Sequence, residues 1–306
     1  MLSSPAIMRA ASAPSSPKRN AFSLTALILG ATAIGFSPIF VRLAEVGPIT
    51  SAFWRVALAA PALWLWALLS RPTQTAAPRD RWHVAALIAV GLSFAGDLSF
   101  WHWSIKLTSV ANATLLANLS AVFVTLAAWL LYRQRPTLVF LIGLLLALTG
   151  TATLMSRSFS LGAQQPLGDL LGVATACCYS VYLLSIKRLR DAGFATAVIV
   201  SWGTSITALT LLPIALLSGE TLLPPSLHAW AVLLALALIS HAGGQTLIAY
   251  ALAQLPASFS SVALLLEPLV AAVIAWPLFG EHLGPVEIAG CVLVLAGIYV
   301  SRRGSH

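Results

Sequence analysis

Three ionisable side chains lie inside long apolar segments of the chain: Asp97, His241 and Glu267. A charged group at the centre of a membrane span costs about 2.5–3.5 kcal/mol on insertion scales, so each of these residues needs a partner or a function. A carboxylate there can bind an ammonium group or carry a proton. A histidine can titrate near neutral pH, or it can donate a single hydrogen bond as an ordinary core residue.

Glu267 also has a structural explanation, because Pro268 follows it. Proline disfavours helical geometry in the preceding residue and removes the usual hydrogen-bond donor to the carbonyl of Leu264. The pair therefore predicts a kink with accessible backbone. Glu267 either bonds to a ligand at this kink or braces it against a neighbouring helix.

Helical spacing groups further side chains with these residues. Asp97 shares a face with Phe94, Trp101 and Ser104, a stripe typical of a cavity wall that offers an acid to an amine and aromatic faces to cations. Gln245 lies four residues after His241, beside two glycines that permit close helix approach.

Other polar and aromatic residues have weaker claims. Asn118 and Thr114 are four residues apart and favour interhelical hydrogen bonds, whereas Tyr179, Tyr182 and Trp202 can line a pathway or pack in the core. The predicted substrate-binding set is Asp97, Trp101, Asn118, Tyr179, Trp202, His241, Gln245 and Glu267.

Arg55 and His102 are expected near membrane boundaries. Arg55 follows the start of an apolar run, where it could pair with Glu45 or with a substrate carboxylate. Anchoring at the interface is the preferred interpretation. His102 is expected to be solvated, and Trp103 to belong to an interfacial aromatic belt.

The composition identifies the elements that must position these side chains. Of 306 residues 59% are hydrophobic and 8% charged, against about 25% charged in ordinary soluble domains. Apolar runs near the 20-residue length of a membrane span recur, without the two-residue alternation of barrel strands. The chain is therefore predicted to be an all-α polytopic membrane protein. Its ten predicted spans cover residues 21–41, 48–69, 82–104, 109–131, 137–155, 167–187, 195–217, 228–252, 257–279 and 284–301.

The net charge of +8 has a topological explanation. With ten alternating spans, all of the 17 basic residues except Arg42, Arg55, Lys106 and Arg157 fall on the side of the two termini. The positive-inside rule then predicts cytoplasmic termini in a bacterial inner membrane. Because topology explains the excess of positive charge, no nucleic-acid partner is expected.

The two halves of the chain repeat each other. A shift of 147 residues aligns Ala95-Gly96 with Ala242-Gly243, and "AAWLLYRQRP" with "IAWPLFGEHL". Five spans in each half invert the second copy, so Arg133 and Arg135 at a cytoplasmic end become Gly280, Glu281 and His282 at an outer end. The predicted units are a disordered cytoplasmic tail (1–20), a first repeat (21–155), a connector (156–166), a second repeat (167–301) and a cytoplasmic tail (302–306).

Two stretches carry a family resemblance: "WSIKLTSVANATLL" (103–116) and "YALAQLPASFSSVALLLEPLVAAVIAWPLFGEHL" (250–283). Both resemble repeat junctions of the drug/metabolite transporter superfamily in its EamA-type branch, and the resemblance extends over residues 21–301. It implies two inverted five-helix units that export metabolites, amino acids or drugs. Ser120-Ala121 stands where Ser-Pro is common and Gln134-Arg135 where Gly-Glu is common, so a proline hinge shared by the two copies is in doubt.

These observations favour an exporter of amino acids or related metabolites that works by alternating access. Asp97 aligns with Gly244 and His241 with Phe94, so the polar lining is asymmetric, as a chemically specific site requires.

Proton-coupled efflux of cationic drugs is the alternative, with Asp97, Glu267 and His241 as the proton carriers. A membrane enzyme or lipid-handling scaffold is disfavoured because hydrolase, zinc and phosphate-loop motifs are absent. The expected partners are a small-molecule substrate and the lipid bilayer, with no cofactor or metal.

Overall fold

The computed structural model describes residues 17–70, 81–108, 110–156, 165–280 and 284–305, and within these ranges it contains helices and no strand. Nine helical segments of the described chain are long and apolar enough to cross a membrane. A tenth, Leu138–Leu154, is apolar and has 17 residues, at the lower limit of span length. The predicted all-α architecture of ten spans is confirmed.

The spans are numbered in chain order. Span 1 contains α1 (Pro17–Gly35) and α2 (Ser37–Leu43), and spans 2 and 3 are α3 (Pro48–Ser70) and α4 (Arg81–Leu107). Span 4 contains α5 (Val110–Ala117) and α6 (Ser120–Tyr132), span 5 is α7 (Leu138–Leu154), span 6 is α8 (Gln165–Asp191) and span 7 is α9 (Thr196–Leu217). Span 8 joins α10 (Leu227–Ala235), a π-helical segment (Leu236–Gln245) and α11 (Thr246–Ala251). Span 9 contains α12 (Ala257–Ala263) and α13 (Leu266–Phe279), and span 10 is α14 (Pro285–Gly304).

Helix ends extend beyond the predicted spans at both termini. Helix α1 begins at Pro17, inside the predicted tail, and α14 continues to Gly304. The Thr137 hydroxyl donates a hydrogen bond to the Gly304 carbonyl at 2.7 Å, which ties the last turn of span 10 to the start of span 5. Residues 1–16, most of the predicted connector (157–164) and residue 306 lie outside the described residues.

Span packing follows the internal repeat. Span 3 packs on span 6, and the equivalent span 8 packs on span 1. Likewise, span 4 packs on span 6, and the equivalent span 9 packs on span 1. Spans 2 and 7, 4 and 9, and 5 and 10 pack as pairs of equivalent elements. Exchange of every span for its repeat counterpart leaves this pattern unchanged, so the two five-helix units are related by pseudo-twofold symmetry with inverted orientation.

Spans 5 and 10 approach closely through glycines. A Cβ built on Gly143 would lie 2.7 Å from the carbonyl oxygen of Gly297, and one built on Gly150 would lie 2.8 Å from that of Gly290. The 147-residue shift aligns Gly143 with Gly290 and Gly150 with Gly297. In the structure Gly143 packs against Gly297, and Gly150 packs against Gly290. Small residues permit such backbone contact, which is a usual source of helix association in membranes.

Spans 4 and 9 are both interrupted near their midpoints. In span 9 Pro268 has no N–H to donate to the Leu264 carbonyl. That carbonyl instead accepts a hydrogen bond from the backbone N–H of Glu267 at 2.9 Å. In span 4 the Leu119 N–H bonds to the Leu116 carbonyl at 3.1 Å, and α6 begins at Ser120. The break is therefore common to both repeats, although Ala121 replaces the proline in the first copy.

Candidate functional site

Arg55 is the one buried Lys or Arg side chain among the residues that the structure describes. Its side chain is 7% exposed, its Nη1 donates a hydrogen bond to Ser37 Oγ at 2.9 Å, and its guanidinium lies 5.8 Å from the ring centroid of Phe94. Its Nε has no hydrogen-bond partner among the described residues. The predicted interfacial role is wrong, because Arg55 lies two turns inside α3, about 10 Å from its start, and points inward.

Two carboxylates lie within electrostatic range of this guanidinium. Arg55 interacts electrostatically with both Glu267 and Asp97, from spans 9 and 3. Counted from the span ends opposite the termini, Asp97 lies about 15 Å deep and Glu267 about 18 Å deep. Both are half-buried. Asp97 also interacts electrostatically with Glu267, so the three charged groups lie near one another.

The three charged groups of this cluster do not form a closed salt bridge. Among the described residues no acidic oxygen lies within 4.0 Å of the Arg55 nitrogens, although other pairs in the chain meet at 2.7 Å. A buried ion pair usually needs close geometry to offset the loss of hydration. The separation leaves both signs of charge available to a ligand.

A tyrosine and glutamine network borders the charged cluster. Tyr179 and Tyr182 of span 6 stack with their centroids 5.6 Å apart, and the Tyr182 hydroxyl donates to Gln245 Oε1 at 3.0 Å. Tyr179 interacts electrostatically with Glu267. The structure thus brings the predicted residues Tyr179, Gln245, Glu267 and Asp97 into one region.

His241 lies beside this network, in the π-helical segment of span 8. It is 2% exposed, its Nε2 is 2.8 Å from Thr204 Oγ1, and its ring centroid is 5.3 Å from that of Phe94. Its Nδ1 has no hydrogen-bond partner in the described part of the chain. A cavity of about 10 Å³ opens here, room for about one water molecule. π-Helical turns often occur at functional sites.

Trp101 is half-buried toward the end of span 3 that lies opposite the termini, and its ring lies 5.0 Å from that of His102. His102 is 2% exposed and its Nδ1 hydrogen-bonds to the Leu98 carbonyl, so the expectation that it is solvated is wrong. Helix α4 extends to Leu107, which places His102 more than a turn inside the helix. Trp103 is 41% exposed, as an interfacial aromatic residue would be.

Two predicted residues have no recorded interaction with the charged cluster among the described residues. Trp202 is 49% exposed on the outside of span 7, where its ring packs edge-on against Trp64 at 5.4 Å. Asn118 lies at the break in span 4, and its buried Nδ2 has no partner among the described residues. The structure places neither residue in contact with Arg55, Glu267 or Asp97.

The end of the bundle opposite the termini is tied together by Glu220, in the loop between spans 7 and 8. Glu220 accepts hydrogen bonds from Lys106 Nζ at 2.7 Å and from the Thr50 N–H at 2.8 Å, a contact we call the Glu220 clamp. Partial burial acts to raise the pKa of Glu220, but these hydrogen bonds outweigh it and hold that pKa below its usual value. Trp54 Nε1 also donates to the Leu222 carbonyl, at 2.7 Å.

Comparison with known proteins identifies the chain. The sequence profile of the EamA-like transporter family matches residues 21–156 and again residues 166–303. The chain belongs to the EamA-like transporter family. This EamA-like protein is a multi-pass membrane transporter, and the predicted membership of the drug/metabolite transporter superfamily is confirmed.

Relatives cover most of the EamA-like chain. An uncharacterised transporter of Archaeoglobus fulgidus is 27% identical over 92% of this chain and 97% of its own. A probable terminal-alkyne amino-acid exporter of Streptantibioticus cattleyicolor is 28% identical over 89% of each chain. The threonine/homoserine exporter RhtA of Escherichia coli K12 is 30% identical over 72% of this chain and 70% of its own. A crystal structure with 19% identity superposes with a TM-score of 0.78 over 94% of this chain and 98% of its own, which shows the shared fold.

The main residue that sequence reasoning misassigned in this EamA-like site is Arg55. The signal was present, since Arg55 stands in "AFWRVALAAP" with apolar residues on both sides, as Asp97 does in its own span. Among the described residues no group of three or more His, Cys, Asp or Glu side chains gathers as a metal site would require.

Proposed function

We propose that this protein exports small amino acids across the bacterial cytoplasmic membrane by alternating access between its inverted repeats. The substrate carboxylate binds to Arg55, and its ammonium group binds to Glu267 and Asp97. Tyr179, Gln245 and Trp101 complete the wall of the site, and Asn118 contributes when span 4 moves.

One observation carries the proposal: a buried guanidinium lies within electrostatic range of two carboxylates inside the bundle without closing onto them. A free amino acid has the same two charges, held a few ångströms apart. Arginine is suited to a carboxylate because its planar fork can donate two parallel hydrogen bonds. A zwitterion therefore satisfies both sides of the site without adding net charge to the membrane interior.

The relatives support the same substrate class, since two of them are named as exporters of amino acids. Export from the cytoplasm agrees with the proposed orientation, in which the basic ends of the spans and both termini are cytoplasmic. The Glu220 clamp then lies on the outer side, and opening of the site to that side requires its release. Spans 4 and 9, broken at equivalent places, are the natural positions for the change in shape.

Proton-coupled efflux of cationic drugs remains a second candidate, favoured by one feature of the cluster. Two carboxylates interact with a single arginine. One of the two acidic groups therefore has no fixed positive charge to balance it. A monocation could bind to that group, and a proton could replace it on return. Competition between a proton and a cation at one carboxylate then couples the two fluxes.

Uptake of radiolabelled amino acids by proteoliposomes, with and without an inside-acid pH gradient, separates the two candidates. We expect saturable uptake of small amino acids without the gradient, and loss of that uptake in Arg55→Gln. Arg133→Gln is the matched control, because Arg133 is exposed at the end of span 4. Uptake of organic cations alone, dependent on the gradient, would replace the amino-acid proposal with the drug-efflux one.

A further inference from the structure

Span 1 is broken beside the charged cluster. Helix α1 ends at Gly35 and α2 begins at Ser37. Pro38 has no N–H, so the carbonyl of Ile34 loses its usual helical donor, and a break at this place follows. The equivalent span 6 is the single helix α8 (Gln165–Asp191), so this break belongs to the first repeat alone.

Two neighbouring spans fix the backbone around the span 1 break. The Ser240 hydroxyl of span 8 donates a hydrogen bond to the Ala33 carbonyl at 2.8 Å. A Cβ built on Gly35 would lie 3.1 Å from the carbonyl oxygen of Glu267, so span 9 packs directly against the break. The residue that follows the break is therefore held at a defined position relative to the spans of the site.

Ser37 is that residue, and it anchors the Arg55 guanidinium. It is 5% exposed, and its Oγ accepts a hydrogen bond from Arg55 Nη1 at 2.9 Å. Among the described residues no acidic oxygen lies within 4.0 Å of the Arg55 nitrogens, so Glu267 and Asp97 do not fix the orientation of the guanidinium. A guanidinium has five N–H groups, so one bond to Ser37 orients the group and leaves the others for a ligand.

We propose that Ser37 is a positioning residue for substrate binding, whose hydroxyl holds the Arg55 guanidinium in the orientation that receives the substrate carboxylate. The inference rests on the proposed function, in which Arg55 binds that carboxylate. An arginine loses rotamer freedom when it binds a ligand, and a hydrogen bond already present in the empty site lowers this entropic cost. It also aligns the planar pair of N–H groups that a carboxylate needs.

Recognition of the carboxylate is the property that this role controls. Uptake of radiolabelled threonine by proteoliposomes is measured, together with its inhibition by the amino alcohol of threonine, which keeps the ammonium group and lacks the carboxylate. Ser37→Ala should raise the KM for threonine at least about tenfold, as expected when a charged group loses a hydrogen bond, and should leave kcat nearly unchanged. The inhibition constant of the amino alcohol should stay near its wild-type value, so discrimination between the two compounds falls by the same factor.

Two further substitutions of Ser37 separate its hydroxyl from its size. Ser37→Thr keeps the hydroxyl and should restore most of the discrimination. Ser37→Cys keeps the approximate size of the side chain but offers a weak acceptor, so it should behave like Ser37→Ala. The Tm of each variant in detergent should stay near the wild-type value, because the change concerns the orientation of one side chain.

Ser51→Ala is the matched control. Ser51 is buried one turn before Arg55 on the same helix, and its hydroxyl donates to the Pro48 carbonyl at 2.7 Å. This variant loses a buried serine hydroxyl that does not touch the guanidinium, so it should keep the wild-type KM and discrimination.

The outcomes distinguish the role of Ser37 from the proposed function. A wild-type KM and wild-type discrimination in Ser37→Ala overturn the positioning role and leave amino-acid export standing. Equal weakening of threonine and its amino alcohol also overturns it, since a general structural defect affects both compounds. Absence of uptake of every amino acid by the wild type overturns the proposed function and the role of Ser37 together.

Discussion

Phe94 and His241 occupy equivalent positions in the two repeats, and their rings lie 5.3 Å apart across the bundle. The pseudo-twofold relationship therefore brings unlike side chains face to face. Phe94 also approaches Arg55, whereas His241 bonds to Thr204. A symmetric scaffold thus encloses an asymmetric lining: the charged cluster meets the Phe94 ring, and the polar cavity lies beside it.

Arg55 is expected to be essential for transport. Arg55→Gln should lower kcat/KM at least about thirtyfold, since loss of one member of a buried charge pair typically costs about 2–5 kcal/mol. Arg55→Lys should recover only part of the activity, because a lysine cannot donate the planar pair of hydrogen bonds. Initial rates of amino-acid uptake check this, with Arg133→Gln as the control. Wild-type rates in Arg55→Gln would remove the guanidinium from the site.

Glu267 should distinguish binding from proton coupling. Glu267→Gln keeps the size of the side chain and removes its charge, so we expect weaker substrate binding, seen as a KM raised about tenfold or more. Uptake should remain insensitive to a pH gradient in both proteins. If the wild type accelerates under an inside-acid gradient and Glu267→Gln does not, Glu267 carries a transported proton.

The Glu220 clamp should make stability depend on pH in the acid range. The pKa of Glu220 is held below its usual value, so its contribution is complete above the unfolded value of about 4.3 and is lost as pH falls through the lower folded pKa. The Tm of Glu220→Gln should lie below that of the wild type at pH 7, and the difference should shrink below about pH 4.

A second ion pair serves as control for the clamp. Lys187 and Asp191 meet at 2.7 Å four residues apart on one helix, with Asp191 54% exposed. Such pairs contribute about 0.3–0.5 kcal/mol, so Asp191→Asn should leave the Tm nearly unchanged at any pH. A Glu220→Gln protein with wild-type Tm at neutral pH would show that the clamp does not stabilise this state.

The contact between spans 5 and 10 should tolerate no side chain at its glycines. A Cβ on Gly150 would meet the carbonyl oxygen of Gly290 at 2.8 Å, and backbone cannot yield as a flexible side chain can. Gly150→Leu should therefore destabilise the protein by about 1–3 kcal/mol or more, measured as a lower Tm in detergent. Ile142→Ala, on the exposed face of span 5, is the matched control.

Trp202 should be dispensable for transport. Its side chain is 49% exposed on the outer face and contacts Trp64 rather than the charged cluster. Trp202→Phe should keep the wild-type KM and uptake rate, whereas Tyr182→Phe, which removes the bond to Gln245, should change them. A large rise in KM for Trp202→Phe would contradict this and would show that the substrate contacts the exposed face of span 7.

The sequence predicts the spans well because the membrane imposes their length and composition. Span 9, for example, was predicted at 257–279, and its helices begin at Ala257 and end at Phe279. The break at Leu264 follows from Pro268. The equivalent break in span 4 could not be predicted in this way, because Ala121 stands where the second copy has Pro268.

Individual site residues were harder to place, because depth and direction depend on neighbouring spans. Arg55 is seven residues into α3, where an arginine can reach the interface or turn inward, and the Ser37 hydroxyl that accepts its hydrogen bond comes from another span. His102 lay inside the bundle because α4 is longer than predicted. Periodicity correctly paired His241 with Gln245 but carried no information about Thr204 or Tyr182.

Competition by analogues that lack one charge tests whether the site recognises both ends of a zwitterion. Uptake of radiolabelled threonine is measured in the presence of unlabelled threonine, its amino alcohol or its deaminated hydroxy acid. We expect that only the zwitterion competes at low concentration, because Arg55 binds its carboxylate and the two acidic side chains bind its ammonium group. Equal competition by the amino alcohol would show that the carboxylate is not recognised, and would contradict the assignment of Arg55 as its binding group.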